Sequence, residues 1–352
     1  MIGLHTPSAG YKPFRYPWAY AAWQKQQQVH WMPEEVQLGE DIKDWAVRLS
    51  QEERNFLTAI FRFFTQADLD VNENYMETYA GLFKPHEIKM MLAAFSNIET
   101  VHVAAYALLI ETVGMPEAEF GAFMEYAEMR EKHDLSIRLK DSVHGGDPLY
   151  ELLNLAAFGA FTEGMQLFAS FAMLMNFQRF GKMKGMCQIV EWSIRDESLH
   201  CAGIIRLFRT YRNELGMDKN EDLERRILAV CKQMVEAEFK FIDLAFSMGE
   251  PEGLTRQEMK DYVMFIADLR LSQLGYSPVY GVSSHPLPWL VELINGVEHA
   301  NFFETRSTEY SKGALRGDWN TAWRNFDAAA NTGNGYRSDN GRSEQELRLA
   351  SS

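Results

Sequence analysis

Nine histidines occur in the chain, and only two have a glutamate three residues earlier: Glu99-x-x-His102 and Glu197-x-x-His200. On a helix, positions i and i+3 share a face, so each pair presents one carboxylate oxygen and one imidazole nitrogen to the same point. Those faces are otherwise apolar: Leu92, Phe95, Tyr106 and Leu109 flank the first pair, and Val190, Ile194, Ile204 and Leu207 the second. A glutamate there is costly to bury unless it is paired or binds a metal. Two more acids fit the same description. Asp68 lies on the stripe Leu57, Ile60, Phe61, Phe64, Val71, and Glu163 on Ala156, Ala160, Leu167, Phe171. Four acids and two imidazoles make a site for two metal ions. Such a carboxylate-rich set suits iron or manganese better than zinc or copper. A lone Glu-x-x-His is commonly a solvated face or a local hydrogen-bonded pair. Two of them, each preceded one helix earlier by an acid on an apolar stripe, favour the metal. Asp70, two residues from Asp68, falls on the far side of its helix and is expected in solvent.

The elements that must carry these residues read as helices almost throughout. Ser50-Gln51-Glu52-Glu53 fits a capping box, followed by apolar positions 57, 60, 61, 64, 71 and 75. Pro85 can open a second helix that stops at Gly114, and Pro116 with the acids after it a third. Asp147-Pro148 reads as an N-cap and first-turn proline, opening a helix that runs to Gly181. Further helices are expected over 185–215, 220–248 and 256–274, closed by Gly216 and Gly275. Asn295-Gly296 and Asn340-Gly341 lack the alternating flanks of a hairpin, and no short fixed repeat is evident. Long helices with short loops predict an all-α bundle.

The chain has 352 residues, 46% of them hydrophobic, enough for one large core or two modest ones. Its net charge of −14 argues against nucleic-acid or anionic-membrane partners. Asn154, Thr162, Glu163 and Gln166 interrupt the apolar stretch 152–175, so a membrane span is not expected there. The odd trio Cys187, Cys201 and Cys231, never spaced CxxC, points to a reducing, cytoplasmic compartment. No charged segment followed by an apolar run opens the chain, so no signal peptide is expected. After about residue 325 the sequence turns polar and rich in Gly, Asn and Ser, read as a flexible tail.

One acid from each of two helices, plus Glu-x-x-His from each of two others, is a known pattern of dimetal-carboxylate bundles. In order and spacing these residues resemble the small, radical-generating subunit of class I ribonucleotide reductase. The likeness runs from about residue 15 to about 320. VEWSIRDESLH (190–200) is similar to that family's Arg-Asp-Glu-x-x-His signature and WMPEE (31–35) to its Trp-x-Pro-Glu-Glu segment. HPLPW (285–289) and NFFETRSTEYSK (301–312) are similar to its C-terminal signatures.

The resemblance implies a ferritin-like four-helix bundle with added helices over 1–320 and a tail, 321–352, that docks on the large catalytic subunit. It implies that Asp68, Glu99, His102, Glu163, Glu197 and His200 ligate a dinuclear centre. Tyr106, one helical turn beyond His102, matches the tyrosine that stores the radical. Trp31 and Asp196 match the pair coupling the metals to the subunit surface. Asp196 points off the ligand face and is placed to hydrogen-bond the second ring nitrogen of a ligand histidine. Tyr310 and Glu304 match the residues that relay the radical. A homodimer is expected, and, with so little chain ahead of the likeness, no nucleotide site. Ser193 departs from the family's apolar pocket around the tyrosine, which makes that pocket wetter. FRFFTQADLDV (61–71) and HVAAYALLIETVGMPE (102–117) are most similar to the dimanganese subclass Id, whose tyrosine is not stably oxidised. The ligand set itself accepts manganese or iron. The rival readings are a ferritin-like oxidase or desaturase acting on its own substrate, which would not need Trp31, Asp196 or Tyr310, and an iron-storage or purely structural bundle.

Overall fold

A computed structural model describes residues 3–294. Tyr310, Glu304, the segment 301–312, the boundary at 320 and the tail lie outside them. The described residues fall within one compact unit and contain helices but no strand. They show the all-α bundle that the helical periodicity implies, arranged as the ferritin-like fold that the resemblance implies.

The caps set where the helices begin. Helix α1 is Pro17–Gln28. Helix α2, Gln51–Glu73, opens on the capping box: Ser50 Oγ accepts from Glu53 N, and Glu53 Oε2 accepts from Ser50 N. Helix α3 is His86–Thr112, with Pro85 just outside it as N-cap rather than in its first turn. Among the described residues it is the one helix long and apolar enough to cross a membrane, but it is packed inside the bundle. Its apolar surface is core.

The stretch after Pro116 departs from the expected helix. It forms a 3-10 segment, Glu117–Glu125, and only then helix α4, Ala127–Asp141. Tyr126 between them is extended and tied to α2: Arg62 donates to its hydroxyl at 2.7 Å and to Glu119 at 2.6 Å. This tether resets the chain before α4 starts.

Helix α5 begins at Pro148–Leu155, with Asp147 Oδ1 accepting from Leu149 N. It does not run on as simple α-helix to Gly181. It widens into a π-helix over Ala156–Gln166, returns to α-helix over Leu167–Met175, and tightens to 3-10 over Asn176–Phe180. A second π stretch, Asn74–Tyr79, continues α2. Such wide turns gather at functional sites; of the three among the described residues, one carries Glu163, one follows Asp68 by six residues, and the third, Asp44–Arg48, carries no candidate ligand.

Helix α6, Lys184–Glu214, has its N-terminus held from a distance. Asp41 accepts from Gly185 N and Met186 N, each at 2.8 Å, and Asp44 accepts from Met183 N at 2.7 Å. These carboxylates satisfy amides that the helix itself cannot, and their charge suits the positive end of its dipole. Helices α7, Glu221–Met248, and α8, Arg256–Leu274, complete the fold.

Helices α2, α3, α5 and α6 form the central bundle. Two glycines let the ligand-bearing backbones approach. A Cβ on Gly159 of α5 would lie 2.2 Å from Ile204 Cγ2 of α6, and one on Gly203 of α6 would lie 2.8 Å from the Phe95 ring of α3.

Candidate metal centre

Asp68 comes from α2, Glu99 and His102 from α3, Glu163 from the π turn of α5, and Glu197 and His200 from α6. All six are essentially inaccessible to solvent. They converge as two overlapping groups, Glu99, Glu163, Glu197 and His200 in one, Asp68, Glu99 and His102 in the other. Glu99 belongs to both. His102 Nδ1 lies 3.3 Å from Glu99 Oε2 and 3.2 Å from Glu197 Oε1. His200 Nδ1 lies 2.8 Å from Glu99 Oε1, 3.4 Å from Glu197 Oε2 and 3.8 Å from Glu163 Oε1. Both Nδ1 atoms thus face the carboxylates.

The cluster is poorly satisfied by protein alone. Asp68 Oδ2, Glu99 Oε1, Glu163 Oε2, both Glu197 carboxylate oxygens and both His200 ring nitrogens are buried without an aligned hydrogen bond. The His200–Glu99 approach is close enough for an ion pair but is not aligned as a hydrogen bond. Buried polar atoms are normally paired, and each unpaired one costs roughly 1–3 kcal/mol, more when charged. Burial drives the Asp68 carboxyl well above the usual carboxylate range, with Glu99 adding to it, and does the same to Glu163 with help from Glu197. Burial acts on Glu99 in the same sense, but the two imidazoles hold it below the ordinary value. Two divalent cations would balance four carboxylates charge for charge and give the orphaned oxygens and His200 Nδ1 their partners. The donor set and its unmet valences fit a dinuclear iron or manganese site.

Around the cluster lie the other residues singled out from the sequence. Asp196 Oδ2 accepts from Trp31 Nε1 at 2.7 Å and sits 3.3 Å from His102 Nε2, the ring nitrogen turned away from the carboxylates. Burial alone would raise the Asp196 carboxyl, but His102, the Arg195 charge and Trp31 hold it below the usual range. Trp31 is fully buried, with its ring 6.0 Å from that of His102 and 5.0 Å from that of Trp192. Tyr106 stacks on Phe64 at 4.6 Å, and Phe64 stacks on Phe171 at 5.4 Å. The Tyr106 hydroxyl has Ser193 Oγ as a distant partner, 3.5 Å away, and Ser193 gives its own proton to the Ile189 carbonyl at 3.0 Å. Burial and Asp68 push the Tyr106 phenol above its ordinary value.

Two neighbours were missed. Gln26 of α1 donates to Asp196 Oδ1 at 3.2 Å, and Tyr75 donates to Glu163 Oε1 at 2.6 Å. Tyr75 stands seven residues after Asp68 on the same stripe, where its ring reads simply as core. No sequence signal marks Gln26. Asp70 also needs correcting. It is not in solvent but buried, 2.7 Å from His133 Nδ1 of α4 and bonded to Gln66, because α4 covers that face of α2.

Fold and site together define a ferritin-like dimetal-carboxylate protein. The family model for the ribonucleotide reductase small chain matches residues 8–286. This chain belongs to that family. It is 41% identical over 337 residues to a probable ribonucleoside-diphosphate reductase small subunit of invertebrate iridescent virus 3, covering 90% of this chain and 88% of that one. Among solved structures it resembles the ribonucleotide reductase R2 subunit from Clostridium botulinum, with a TM-score of 0.75 at 22% identity, covering 84% of this chain and 98% of that one. The dimanganese(II) NrdF protein of Streptococcus sanguinis is similar in fold, with a TM-score of 0.69 at 19% identity over 79% of this chain and 95% of that one. The activity is that of a ribonucleoside-diphosphate reductase small subunit, which works with a large subunit.

Proposed function

We propose that Asp68, Glu99, His102, Glu163, Glu197 and His200 hold two metal ions, manganese or iron, and that this chain passes an oxidising equivalent from them to the large subunit. The observation that carries this is the set of buried carboxylate and imidazole atoms left without an aligned hydrogen bond. When bound, the metal pair supplies the one-electron oxidant that ribonucleotide reduction requires. The rest is the work of the chain. Burial excludes water, and four helices fix the ligands. Asp196 holds the Nε2–H tautomer of His102, aims the ring, and links it to the Trp31 indole. Tyr106 stands one turn from His102, inside an aromatic stack. Trp31 and Asp196 start the route out, with Glu304 and Tyr310 at its far end. The assembly is a cytoplasmic homodimer whose tail, 321–352, docks on the large subunit.

Metal counting joined to electron paramagnetic resonance tests the centre. About two ions per chain are expected, falling sharply in Glu99→Ala, because Glu99 lies in both ligand groups. A sharp organic radical that vanishes in Tyr106→Phe means a stored tyrosyl. A broad multiline manganese signal means that the metals keep the oxidising equivalent. Truncation after about residue 310, which keeps Glu304 and Tyr310 and removes the tail, tests the docking. Loss of nucleotide reduction with the metals intact supports the subunit reading, whereas oxidation of a small apolar substrate by the truncated chain alone would instead mean a free-standing oxidase.

A further inference from the structure

On the far side of the metal cluster from Trp31 stands a second tyrosine. Tyr75 is fully buried, and its hydroxyl donates 2.6 Å to Glu163 Oε1, a carboxylate of the cluster. Its ring lies edge-on to that of His200, with centroids 6.2 Å apart. Oxidising a phenol at neutral pH requires its proton to leave with the electron, so a positioned acceptor decides which tyrosine is oxidised readily. Tyr75 has that acceptor in direct contact. Tyr106 faces only the Ser193 hydroxyl at 3.5 Å.

The rings continue outward from Tyr75. Tyr79 is 5.7 Å from it, Phe83 is 6.2 Å from Tyr79, and Tyr211 is 5.8 Å from Phe83. Tyr211 repeats the arrangement at Tyr75, because its hydroxyl donates to a carboxylate, Glu151 Oε2. The His5 ring lies 5.0 Å from Tyr211, and its side chain is 43% exposed. Two tyrosines with carboxylate proton acceptors are therefore joined by the rings of Tyr79 and Phe83, one end at the cluster and the other beneath the surface.

We infer that Tyr75 and Tyr211 form a second redox route, opposite the Trp31 side, that drains oxidising equivalents the large subunit does not take up. The inference rests on the dimetal reading above. In the first step Tyr75 loses one electron to the oxidised metal pair, which is reduced by that electron. The Tyr75 O–H bond breaks and its proton passes to Glu163 Oε1. In the second step Tyr211 gives an electron across Phe83 and Tyr79 to Tyr75, which regains its proton from Glu163. The Tyr211 proton moves to Glu151. In the third step a soluble thiol at the His5 surface gives one electron to Tyr211, becoming a thiyl radical and releasing its proton to solvent, and Glu151 returns its proton to the Tyr211 oxygen. The net result is one oxidising equivalent at the metals quenched by one external electron.

The test is freeze-quench electron paramagnetic resonance on metal-loaded, oxidant-treated protein carrying ring-deuterated tyrosine, with metals counted in every sample. Tyr106→Phe should still give a transient signal whose lines narrow on deuteration, marking it as tyrosyl. Tyr106→Phe/Tyr75→Phe should lose that signal. In Tyr106→Phe/Tyr211→Phe, whose second change is remote from the metals, the signal should persist several-fold longer when a thiol is added. That last variant keeps the proposal testable where Tyr75→Phe disturbs Glu163 or folding. A Tyr106→Phe protein with two oxidised metals and no tyrosyl signal overturns the route alone. So does a signal that survives in the Tyr75 variant, or a lifetime indifferent to Tyr211. A wild-type chain that binds no metal overturns the dimetal reading and the route with it.

Discussion

Asp196 accepts from Trp31 and Gln26 and faces His102, so three elements meet at one carboxylate. Asp196→Asn removes the charge while keeping the size. Nucleotide reduction with the large subunit should fall about 10–100-fold, the usual cost of losing a partner that orients a metal-bound histidine, while metal content holds. Unchanged turnover would sink the orienting role. The three cysteines make a separate prediction. All three are buried, and burial pushes every thiol up, those of Cys201 and Cys231 to about 12. At pH 8 the thiolate is scarce and out of reach, so iodoacetamide should label the native protein slowly and the unfolded protein fast. A folded-state value above the free thiol's means that the native state holds the proton more tightly. The stabilisation is thus whole below pH 9 and declines as pH climbs from 9 toward 12. Denaturation midpoints measured across that range should drop with rising pH, more steeply than in a Cys201→Ala/Cys231→Ala variant.

At the scale of elements, helices α4 and α7 are joined by a buried ion pair. Lys132 Nζ lies 2.6 Å from Glu238 Oε2 and sits over the Phe63 and Phe241 rings at 3.5 and 4.3 Å. Removing one partner strands a buried charge. Lys132→Met should cost about 3–5 kcal/mol, whereas Lys132→Met/Glu238→Leu should recover most of it. Urea titration of the three proteins checks this, and a single variant as stable as the parent would refute it. The pair also marks where sequence reading stops. The cap at Ser50, the Asp147-Pro148 start and both Glu-x-x-His motifs were legible because the deciding groups lie within a few residues of one another. The burial of Asp70, the Tyr75–Glu163 contact and the reach of Gln26 to Asp196 depend on which helix covers which face. Their sequence separations of 63, 88 and 170 residues leave no local trace. The π turns escaped for a related reason. Ala156–Gln166 is as apolar as an ordinary core helix, and its widening follows from what it packs against.

For the molecule as a whole, the centre draws on residues from 68 to 200, so it exists only once four helices have docked. Its ligands are mutually repelling acids held out of water, a cost the metal-free chain must bear from its other contacts. Melting the protein with and without a strong chelator should therefore show a higher midpoint for the loaded form, and the gap should grow with free metal concentration. Equal midpoints would mean that the cluster does not bind the ions added.

The unmet valences of the cluster have one more consequence. A ligand that binds only the native state shifts the folding equilibrium by mass action, by about 2.7 kcal/mol when it is present at a hundred times its dissociation constant. Metal availability then sets more than how many subunits are active. It sets how long newly made chains last before proteolysis removes them, so a cell short of metal would hold fewer copies of this subunit even with its synthesis unchanged.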